Sequence, residues 1–550
     1  MSENEKVTGA DALIKALEEL GVEVIFGYPG GANLPIYESL YKSKIKHVLS
    51  RHEQGAALMA NGYARQSLKV GVCLATSGPG VTNLVTGIAD GMQDSVPMVV
   101  LTGQIPTKFI GTDAFQEVDC INLTMPITKH NELITDVNEI VPALKSAFHI
   151  AHTGRKGPVL LDIPRDVMQT KCDYDFSVER EVKGYNPTIE GHLGQIKRIC
   201  RLLSEAKRPI ILAGGGIWNS GAVKEFTELV NTTGIPVVRT LMGKGLLPED
   251  NPHYIGMIGT HGNEEGNKAV FKADVILAIG ARFGDRSTLQ KKEKFCPDAD
   301  IIHIDIDPAE ISKIIKPKIP LVGDIKIVLA QLLKQHKKNP FHFEQPWFTS
   351  KSDKNHLYKE DAANVIEAIC RHISMIDQEL ILTTDVGRHQ MWATHCCDNP
   401  KHMPILTSGG LGTMGFGLPA AIGAWFADPK KPVVNITGDG SFWMNLQEIP
   451  VAVEHNVPLT IAIVNDSRLG MIRELQHQQY SKKYIANELP NTTDYIKLAE
   501  SMGAFGILVT TFDDILPALK KAINSKKVTI IDFDIFSIEK SMALKLKKSA

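Results

Sequence analysis

The sequence predicts an α/β protein with parallel sheets, divided into three blocks. Short runs rich in Val, Ile and Leu alternate with amphipathic segments along the chain, which is the pattern of successive βα units. Two polar stretches, residues 171–190 and 334–353, interrupt the alternation and are typical of linkers. A chain of 550 residues is long enough for three or four domains. We therefore expect domains over residues 1–170, 190–335 and 360–537.

Local patterns place elements in each block. The predicted helices repeat apolar residues on one face, and the predicted strands are short apolar runs. The helices cover residues 10–20, 193–203 and 446–455, and the strands cover residues 24–26, 46–49, 159–162, 209–213, 433–436 and 459–464.

Composition narrows the function classes. A hydrophobic share of 43%, a charged share of 22% and a formal net charge of −2 describe an ordinary soluble globular protein without a basic stripe, so we expect no nucleic-acid partner. No apolar run has the length of a membrane span, and the first residues do not form a signal peptide. The eight cysteines are scattered without metal-binding spacing, which predicts reduced thiols and a cytoplasmic location.

The main chemical motif is Gly438-Asp439-Gly440, followed at the end of the next predicted strand by Asp466. A βαβ unit brings both strand ends to one edge of a parallel sheet, so the two carboxylates should converge as oxygen ligands for Mg²⁺. The flanking glycines would let backbone amides approach a diphosphate. Gly-Asp-Gly alone also occurs in ordinary turns, and a carboxylate pair that binds nothing is the alternative. With both carboxylates, the arrangement is that of the thiamine diphosphate motif.

Glu53 opens a predicted helix after the strand at residues 46–49. An acid in the first turn of a helix is favoured by the helix dipole alone. Beside a thiamine diphosphate motif, however, the cofactor needs one carboxylate against N1′ of its aminopyrimidine to assist removal of the C2 proton. We predict that Glu53 has this role.

Longer runs carry a resemblance to a known family. Residues 27–32, 51–65, 76–80, 102–106, 111–117 and 407–415 closely resemble the catalytic large subunits of the acetolactate synthase family. The resemblance covers nearly the whole chain. It implies three doubly wound parallel-sheet domains, which are pyrimidine-binding, FAD-binding and diphosphate-binding in that order. It also implies a homodimer or tetramer with shared active sites, in which Glu53 of one subunit faces the metal motif of the other. A separate regulatory small subunit is a further implied partner.

The resemblance implies roles for individual residues. Gln116 and Gly31 match the substrate side of the active site, and Met414 matches the apolar support that keeps thiamine diphosphate bent. Arg468 matches a position that offers its backbone carbonyl to the metal beside Asp439 and Asp466. The implied residues around thiamine diphosphate are Gly387, His389, Gly412, Met414, Gly438, Gly440, Ser441 and Met471. The spelling of residues 410–415 also fits GxGxxG, but no acidic residue follows about twenty positions later at the end of a second strand, so we do not predict a Rossmann site there.

The middle block resembles the family's FAD domain. Gly-rich strand ends with nearby Arg and Asp residues suit the phosphates and ribose hydroxyls of a dinucleotide. The implied FAD residues are Arg155, Gly215, Gly216, Thr240, Leu241, Gly280, Arg282, Arg286, Asp305 and Asp324. The alternative is a vestigial domain whose loops only stabilise the fold.

Several positions depart from the family pattern. Asp466 stands where an Asn is usual, which keeps an oxygen ligand and adds a charge. Leu475 replaces a Trp that favours 2-ketobutyrate as acceptor, so the acceptor pocket is reshaped. Arg388 replaces a Gln beside the cofactor, Arg165 a Lys, and Thr260 a Met. Residues 537–550 do not match the family's C-terminal segment that folds over the site, which predicts less shielding from water.

The predicted function is an acetolactate synthase-type carboligase of branched-chain amino acid biosynthesis. It would decarboxylate pyruvate on thiamine diphosphate and join the two-carbon unit to a second 2-ketoacid. One alternative is another thiamine diphosphate-dependent lyase or acyltransferase with a different acceptor. An alternative of another class is an inactive, cofactor-binding regulatory subunit, which would release no CO₂ from any 2-ketoacid.

Overall fold

The computed structural model describes residues 6–289, 295–343, 347–348, 364–376, 379–397, 405–490 and 492–549, with the backbone alone for residues 364 and 544–549. Part of the predicted second linker (344–346 and 349–353) and the predicted start of the third domain at residue 360 lie outside the described residues. The chain forms two compact units, one holding the first and third six-stranded sheets and the other holding the middle sheet. The prediction of three parallel-sheet α/β domains is confirmed.

The first sheet has the strand order β3-β2-β4-β5-β7-β6, with every neighbouring pair parallel. The elements of this part are β1 (Val7–Thr8), α1 (Gly9–Glu19), β2 (Val24–Gly27), α2 (Leu34–Leu40), β3 (Lys46–Leu49), α3 (Glu53–Ser67), β4 (Gly71–Ala75), α4 (Pro79–Gln93), β5 (Met98–Gln104), α5 (Cys120–Thr124), β6 (His130–Leu133), α6 (Ile140–His152), β7 (Pro158–Pro164), α7 (Arg165–Gln169) and β8 (Lys171–Cys172). Its central strands are buried along their whole length, because helices cover both faces of a parallel sheet.

A two-stranded antiparallel sheet joins the two ends of this domain. Val7 of β1 pairs with Cys172 of β8. Farther along, the hydroxyl of Tyr185 receives a hydrogen bond of 2.9 Å from Lys129 Nζ. The stretch that the sequence suggested as a linker therefore contacts the first domain over much of its length, because its isolated apolar residues pair and pack there.

The middle sheet has the order β11-β10-β9-β12-β13-β14, again parallel throughout. Its elements are α8 (Leu193–Glu205), β9 (Pro209–Ala213), α9 (Gly216–Asn219), α10 (Val223–Thr233), β10 (Val237–Arg239), β11 (Tyr254–Met257), α11 (Glu264–Lys272), β12 (Val275–Ile279), β13 (Asp300–Asp305), β14 (Ile319–Val322) and α12 (Ile325–His336). Side chains alternate between two cores, since Ile211 belongs to one apolar cluster and Ile210 to another. Two cores on opposite faces make the sheet doubly wound.

The third sheet has the order β16-β15-β17-β18-β20-β19, and the pairings from β15 to β19 are parallel. Its elements are α13 (Asn364–Ser374), β15 (Ile381–Thr384), α14 (Arg388–Cys396), β16 (Ile405–Leu406), α15 (Gly417–Ala427), β17 (Val433–Gly438), α16 (Asp439–Asn445), α17 (Ile449–Glu454), β18 (Leu459–Asn465), α18 (Gly470–Gln479), α19 (Tyr495–Ser501), β19 (Phe505–Val509), α20 (Ile515–Ser525), β20 (Thr529–Asp534) and α21 (Ile535–Ser549). None of the helices among the described residues has both the length and the apolar character that crossing a membrane requires.

The helix predicted at residues 446–455 is different in the structure. A helix already begins at Asp439, a 3-10 turn covers Leu446–Glu448, and a second short helix follows. Pro450 lies in the first turn of that second helix, where its missing N–H costs nothing, and a proline there disfavours one continuous helix. Asp439 is therefore the first residue of a helix that leaves the strand end directly.

Candidate active site

The two predicted metal ligands lie at the same edge of the third sheet. β17 ends at Gly438 and pairs in parallel with β18, with Gly438 opposite Val464, so Asp439 and Asp466 follow neighbouring strand ends. Burial, and next the nearby Asp466 carboxylate, raise the pKa of Asp439 to about 7. Burial also raises the pKa of Asp466, and two buried acids at one sheet edge are a suitable pair for a cation. Among the described residues no group of three His, Cys, Asp or Glu side chains could hold a metal.

Two arginines contact Asp466. Nη2 of Arg388 donates to the carboxylate of Asp466, and Nη1 of Arg388 donates to Glu474 at 3.1 Å. Nε of Arg468 donates to the backbone carbonyl of Asp466 at 3.0 Å, and its guanidinium lies 4.6 Å from the ring centroid of Phe536. The Arg468 guanidinium thus contacts a backbone carbonyl and an aromatic ring, and these contacts do not involve the carboxylates of Asp439 and Asp466.

A glycine-lined space next to this pair contains a buried histidine. A Cβ atom added to Gly438 would lie 3.1 Å from the ring of His389, and one added to Gly387 would lie 2.8 Å from it. Burial lowers the pKa of His389 to about 4, and Nε2 of its ring has no hydrogen-bond partner within the described chain. An orphaned ring nitrogen beside two glycines fits a bound polar group, and a diphosphate supplies such a group.

Met414 lies at the same place. Its Cε atom is 3.7 Å from a Cβ built on Gly440, and Gly412 and Gly415 on either side have positive φ angles of 75° and 84°. Ser441 follows in α16 and donates its hydroxyl to the carbonyl of Val386 at 3.2 Å. Residue Met471 lies in the first turn of α18. The structure therefore brings the predicted thiamine residues of the third domain to one edge of its sheet.

The loop that carries Met414 is held by acids of the first domain. The Asp90 carboxylate accepts hydrogen bonds from the hydroxyls of Ser408 and Thr413, and Asp94 accepts the N–H of Gly409 at 2.9 Å. Arg65 pairs with both acids, at 3.2 Å and 3.0 Å. Sequence reasoning missed these residues, because two acids on a helix and a distant arginine form no recognisable motif.

Glu53 is buried at the first position of α3, with 9% of its surface exposed. Its Oε2 accepts a hydrogen bond of 2.9 Å from Nδ2 of Asn83. Within the described part of the chain this bond goes to the first domain, and not to the residues around Asp439. Two residues before Glu53, the backbone N–H of Arg51 donates to both carboxylate oxygens of Glu448, at 3.1 Å and 3.0 Å. Glu448, which the sequence analysis also missed, thereby holds the start of α3 from the third domain.

Gly31 and Gln116 lie on loops at the strand ends of the first sheet, the edge that Glu53 shares. Gly31 follows β2, and no atom of the described residues lies within 4 Å of a Cβ built on it. Gln116 follows β5 and has a φ of 63°, and its carbonyl would lie 2.8 Å from a Cβ on Gly78. These two residues and Glu53 thus surround one end of the first sheet.

The predicted FAD residues of the middle sheet also share one edge. Each of them lies at or just after the end of a strand. They are Gly215 and Gly216 after β9, Thr240 and Leu241 after β10, Gly280, Arg282 and Arg286 after β12, Asp305 at the end of β13, and Asp324 after β14. The two Gly loops approach closely, since a Cβ on Gly216 would lie 2.8 Å from Cα of Gly280. Asp324 accepts the hydroxyl of Ser220 at 2.9 Å and caps α12, so its carboxylate is used within the fold. Arg155 belongs to the other compact unit, where its Nε donates to Ser95 at 3.0 Å.

Comparison with known proteins assigns the same three parts. Family models for the thiamine pyrophosphate enzyme N-terminal TPP binding domain, central domain and C-terminal TPP binding domain match residues 7–123, 196–332 and 385–533. A probable acetolactate synthase large subunit of Methanococcus aeolicus is 46% identical over 98% of this chain and 93% of the relative. The acetolactate synthase large subunits of Corynebacterium glutamicum and Haemophilus influenzae are 44% and 40% identical, over 96% and 99% of this chain and 87% and 97% of theirs.

Proposed function

The chain belongs to the acetolactate synthase large-subunit family of thiamine diphosphate enzymes, and from this premise we propose how its residues perform the reaction of that family. It is a thiamine diphosphate-dependent acetolactate synthase, whose substrate is pyruvate. The similarity over nearly the full length of three domains is the observation that carries this conclusion. The alternatives, a different acceptor or an inactive regulatory subunit, gain no support from the comparisons.

Asp439 and Asp466 would hold Mg²⁺, and His389 with the neighbouring glycines would hold the diphosphate. The buried carboxylate pair and the orphaned ring nitrogen support this assignment. Arg468 would contribute its backbone carbonyl, since its side chain contacts Phe536 and the carbonyl of Asp466. When bound, thiamine diphosphate supplies a nucleophilic carbon and an electron sink for decarboxylation.

Glu53 would hold a proton at N1′ of the aminopyrimidine. Glu53 is buried, and the hydrogen bond from Asn83 goes to Oε2, so we propose that Oε1 contacts the cofactor. Gly31 would bring its backbone to the reacting carbonyl, Gln116 would line the substrate side, and Met414 would support the bent cofactor. Because the described contacts of Glu53 stay within the first domain, we propose that it completes the site of a second subunit in a homodimer or tetramer.

The middle domain would bind FAD as a structural group, since the reaction transfers no net electrons. Its Gly loops and strand-end Asp and Arg residues support this part of the proposal. All eight cysteines are buried, and we propose that they are reduced thiols of a cytoplasmic protein. A role in branched-chain amino acid biosynthesis, with a separate regulatory small subunit, belongs to the same proposal.

A product assay tests the function. The purified protein with thiamine diphosphate, Mg²⁺ and FAD should form acetolactate from pyruvate alone, quantified by mass. CO₂ without acetolactate would instead indicate another acceptor, and no turnover of any 2-ketoacid would indicate an inactive subunit.

The variant Glu53→Gln tests the assigned activator. It should keep the fold and bind thiamine diphosphate, yet lose activity by about 100-fold or more, because general acid–base assistance at N1′ is removed. Asn83→Ala, which frees the Glu53 carboxylate without removing it, is the matched comparison and should lose less. Full activity in Glu53→Gln would remove Glu53 from this role.

A further inference from the structure

The cation site of this chain contains one feature that the proposed reaction does not use. Arg388 contacts Asp466 through one end of its guanidinium and Glu474 through the other. The side chains of Arg388 and Asp466 are 31% and 11% exposed, so this ion pair is partly shielded from water, whereas Glu474 is half exposed. A shielded pair interacts more strongly than an ion pair on the surface.

The backbone makes room for this pair. A Cβ atom on Gly470 would lie 2.5 Å from Nε of Arg388 and 3.0 Å from Oδ2 of Asp466. Any side chain at position 470 would therefore push the guanidinium away from the carboxylate. Glycine at the first residue of α18 is what allows the contact.

Other charges surround the pair. Burial raises the pKa of Glu539 on α21, while Arg468 and Arg388 act to lower this pKa and Asp466 acts to raise it. Asp439 and Asp466 alone would bring two negative charges to the cation site. With Arg388 in contact with Asp466, one of these charges is cancelled before any cation binds.

We propose that Arg388 is a positioning residue that cancels the charge of Asp466 and thereby sets the affinity of the site for Mg²⁺. The inference rests on the proposed Mg²⁺ site. A carboxylate at position 466 attracts a divalent cation more strongly than an amide does, and a guanidinium in contact with that carboxylate repels the cation. The two residues should therefore act in opposite directions and compensate each other.

A double-mutant cycle tests this compensation. Mg²⁺ is titrated into the protein at saturating thiamine diphosphate, and binding is followed by the near-ultraviolet circular dichroism of the bound cofactor, without turnover. Arg388→Gln should bind Mg²⁺ more tightly, and Asp466→Asn more weakly, each on the order of tenfold. The double variant should return to within about threefold of the parent, because neither charge remains.

Two controls accompany the cycle. Arg388→Lys retains the charge and should bind Mg²⁺ like the parent. Arg473→Gln removes a cation from the same helix, where Arg473 pairs with Glu488 at 3.6 Å, and should leave the affinity unchanged.

The outcomes separate the inference from the proposed function. Opposite single effects with a restored double variant support the inference. Additive effects, or single effects of the same sign, overturn it while the Mg²⁺ site stands. If Asp466→Asn does not fold, a parent-like affinity in Arg388→Gln overturns it as well. Absence of Mg²⁺ binding by the parent protein would overturn the proposed metal site and this inference together.

Discussion

At the scale of single residues, Glu448 shows how a buried acid can serve the backbone of another domain. Its side chain is fully buried, and it accepts the N–H of Arg51 with both oxygens. Gly55 permits this approach, because any Cβ there would overlap the carboxylate. Burial outweighs the hydrogen bonds and raises the pKa of Glu448 to about 7.

This raised pKa predicts a pH dependence of stability. The folded chain holds the Glu448 proton more tightly than the unfolded chain, so the contribution of this group is fully present below about pH 4.5 and is lost as the pH rises to about 7. In Glu448→Gln the side chain does not titrate, so this pH-dependent loss of stability is absent. The difference in free energy of unfolding between variant and parent should therefore change across that window by on the order of 3 kcal/mol, measured by urea denaturation at several pH values. Parallel curves for the two proteins would contradict the prediction.

Leu475 is the residue on which acceptor choice should depend. It lies on α18 next to Glu474 and is 38% exposed. Leu475→Trp should shift the products of a mixture of pyruvate and 2-ketobutyrate toward acetohydroxybutyrate, because the larger apolar surface favours the longer acceptor, by about 10-fold. Leu475→Phe should fall between the two. An unchanged product ratio in both variants would show that position 475 is not the selector.

At the scale of elements, the contact between α3 and α15 depends on two glycines. A Cβ on Gly62 would overlap the carbonyl of Ala420, and one on Gly423 would overlap the carbonyl of Met59. The backbones therefore approach as closely as they can, and Leu58, Ala420 and neighbouring apolar residues are buried between the helices. Since α3 begins with Glu53, this contact helps to determine where the proposed activator lies.

Gly423→Ala should destabilise the protein by about 2 kcal/mol or more, because the helices must move apart to accept a methyl group against backbone. Gly194→Ala is the matched control. Gly194 lies exposed in α8, where the added Cβ would meet the side chain of His192, so the change should be less than about 1 kcal/mol. Equal denaturation midpoints for Gly423→Ala and the parent would contradict this account of the contact.

At the scale of the whole molecule, the first and third sheets form one compact unit, and a buried polar network joins them. Asp90 is completely buried and bonds Ser408 and Thr413 of the third domain, while Arg65 donates to the carbonyl of Thr407 at 3.0 Å. A buried polar network is costly to break, because the remaining partners would lose hydrogen bonds away from water.

Asp90→Asn should lower the free energy of unfolding by roughly 3 kcal/mol and also weaken thiamine diphosphate binding, since the loop to Met414 loses its anchor. Glu23→Gln is the control, because the Glu23–Lys69 pair is largely exposed and should contribute less than about 1 kcal/mol. Urea denaturation and cofactor titration measure the two effects. If Asp90→Asn loses stability but binds thiamine diphosphate as tightly as the parent, the network does not position the cofactor loop.

The sequence by itself determined the fold class, the positions of the six strands it predicted, and the strand-end carboxylates. Strand 209–213 was predicted at the bounds the structure has, because a buried parallel strand leaves a continuous apolar run. Strand 46–49 was also predicted at its observed bounds, although it is a largely exposed strand at the edge of its sheet. The convergence of Asp439 and Asp466 also followed, since neighbouring parallel strands end at one edge whatever the rest of the chain does.

Only the tertiary structure decided which groups hold these residues. The bonds of Glu448 to Arg51, of Asp90 to Ser408 and of Arg388 to Asp466 each join positions far apart along the chain. No local periodicity records such a pair, because its free energy arises from burial that exists only once the domains have packed.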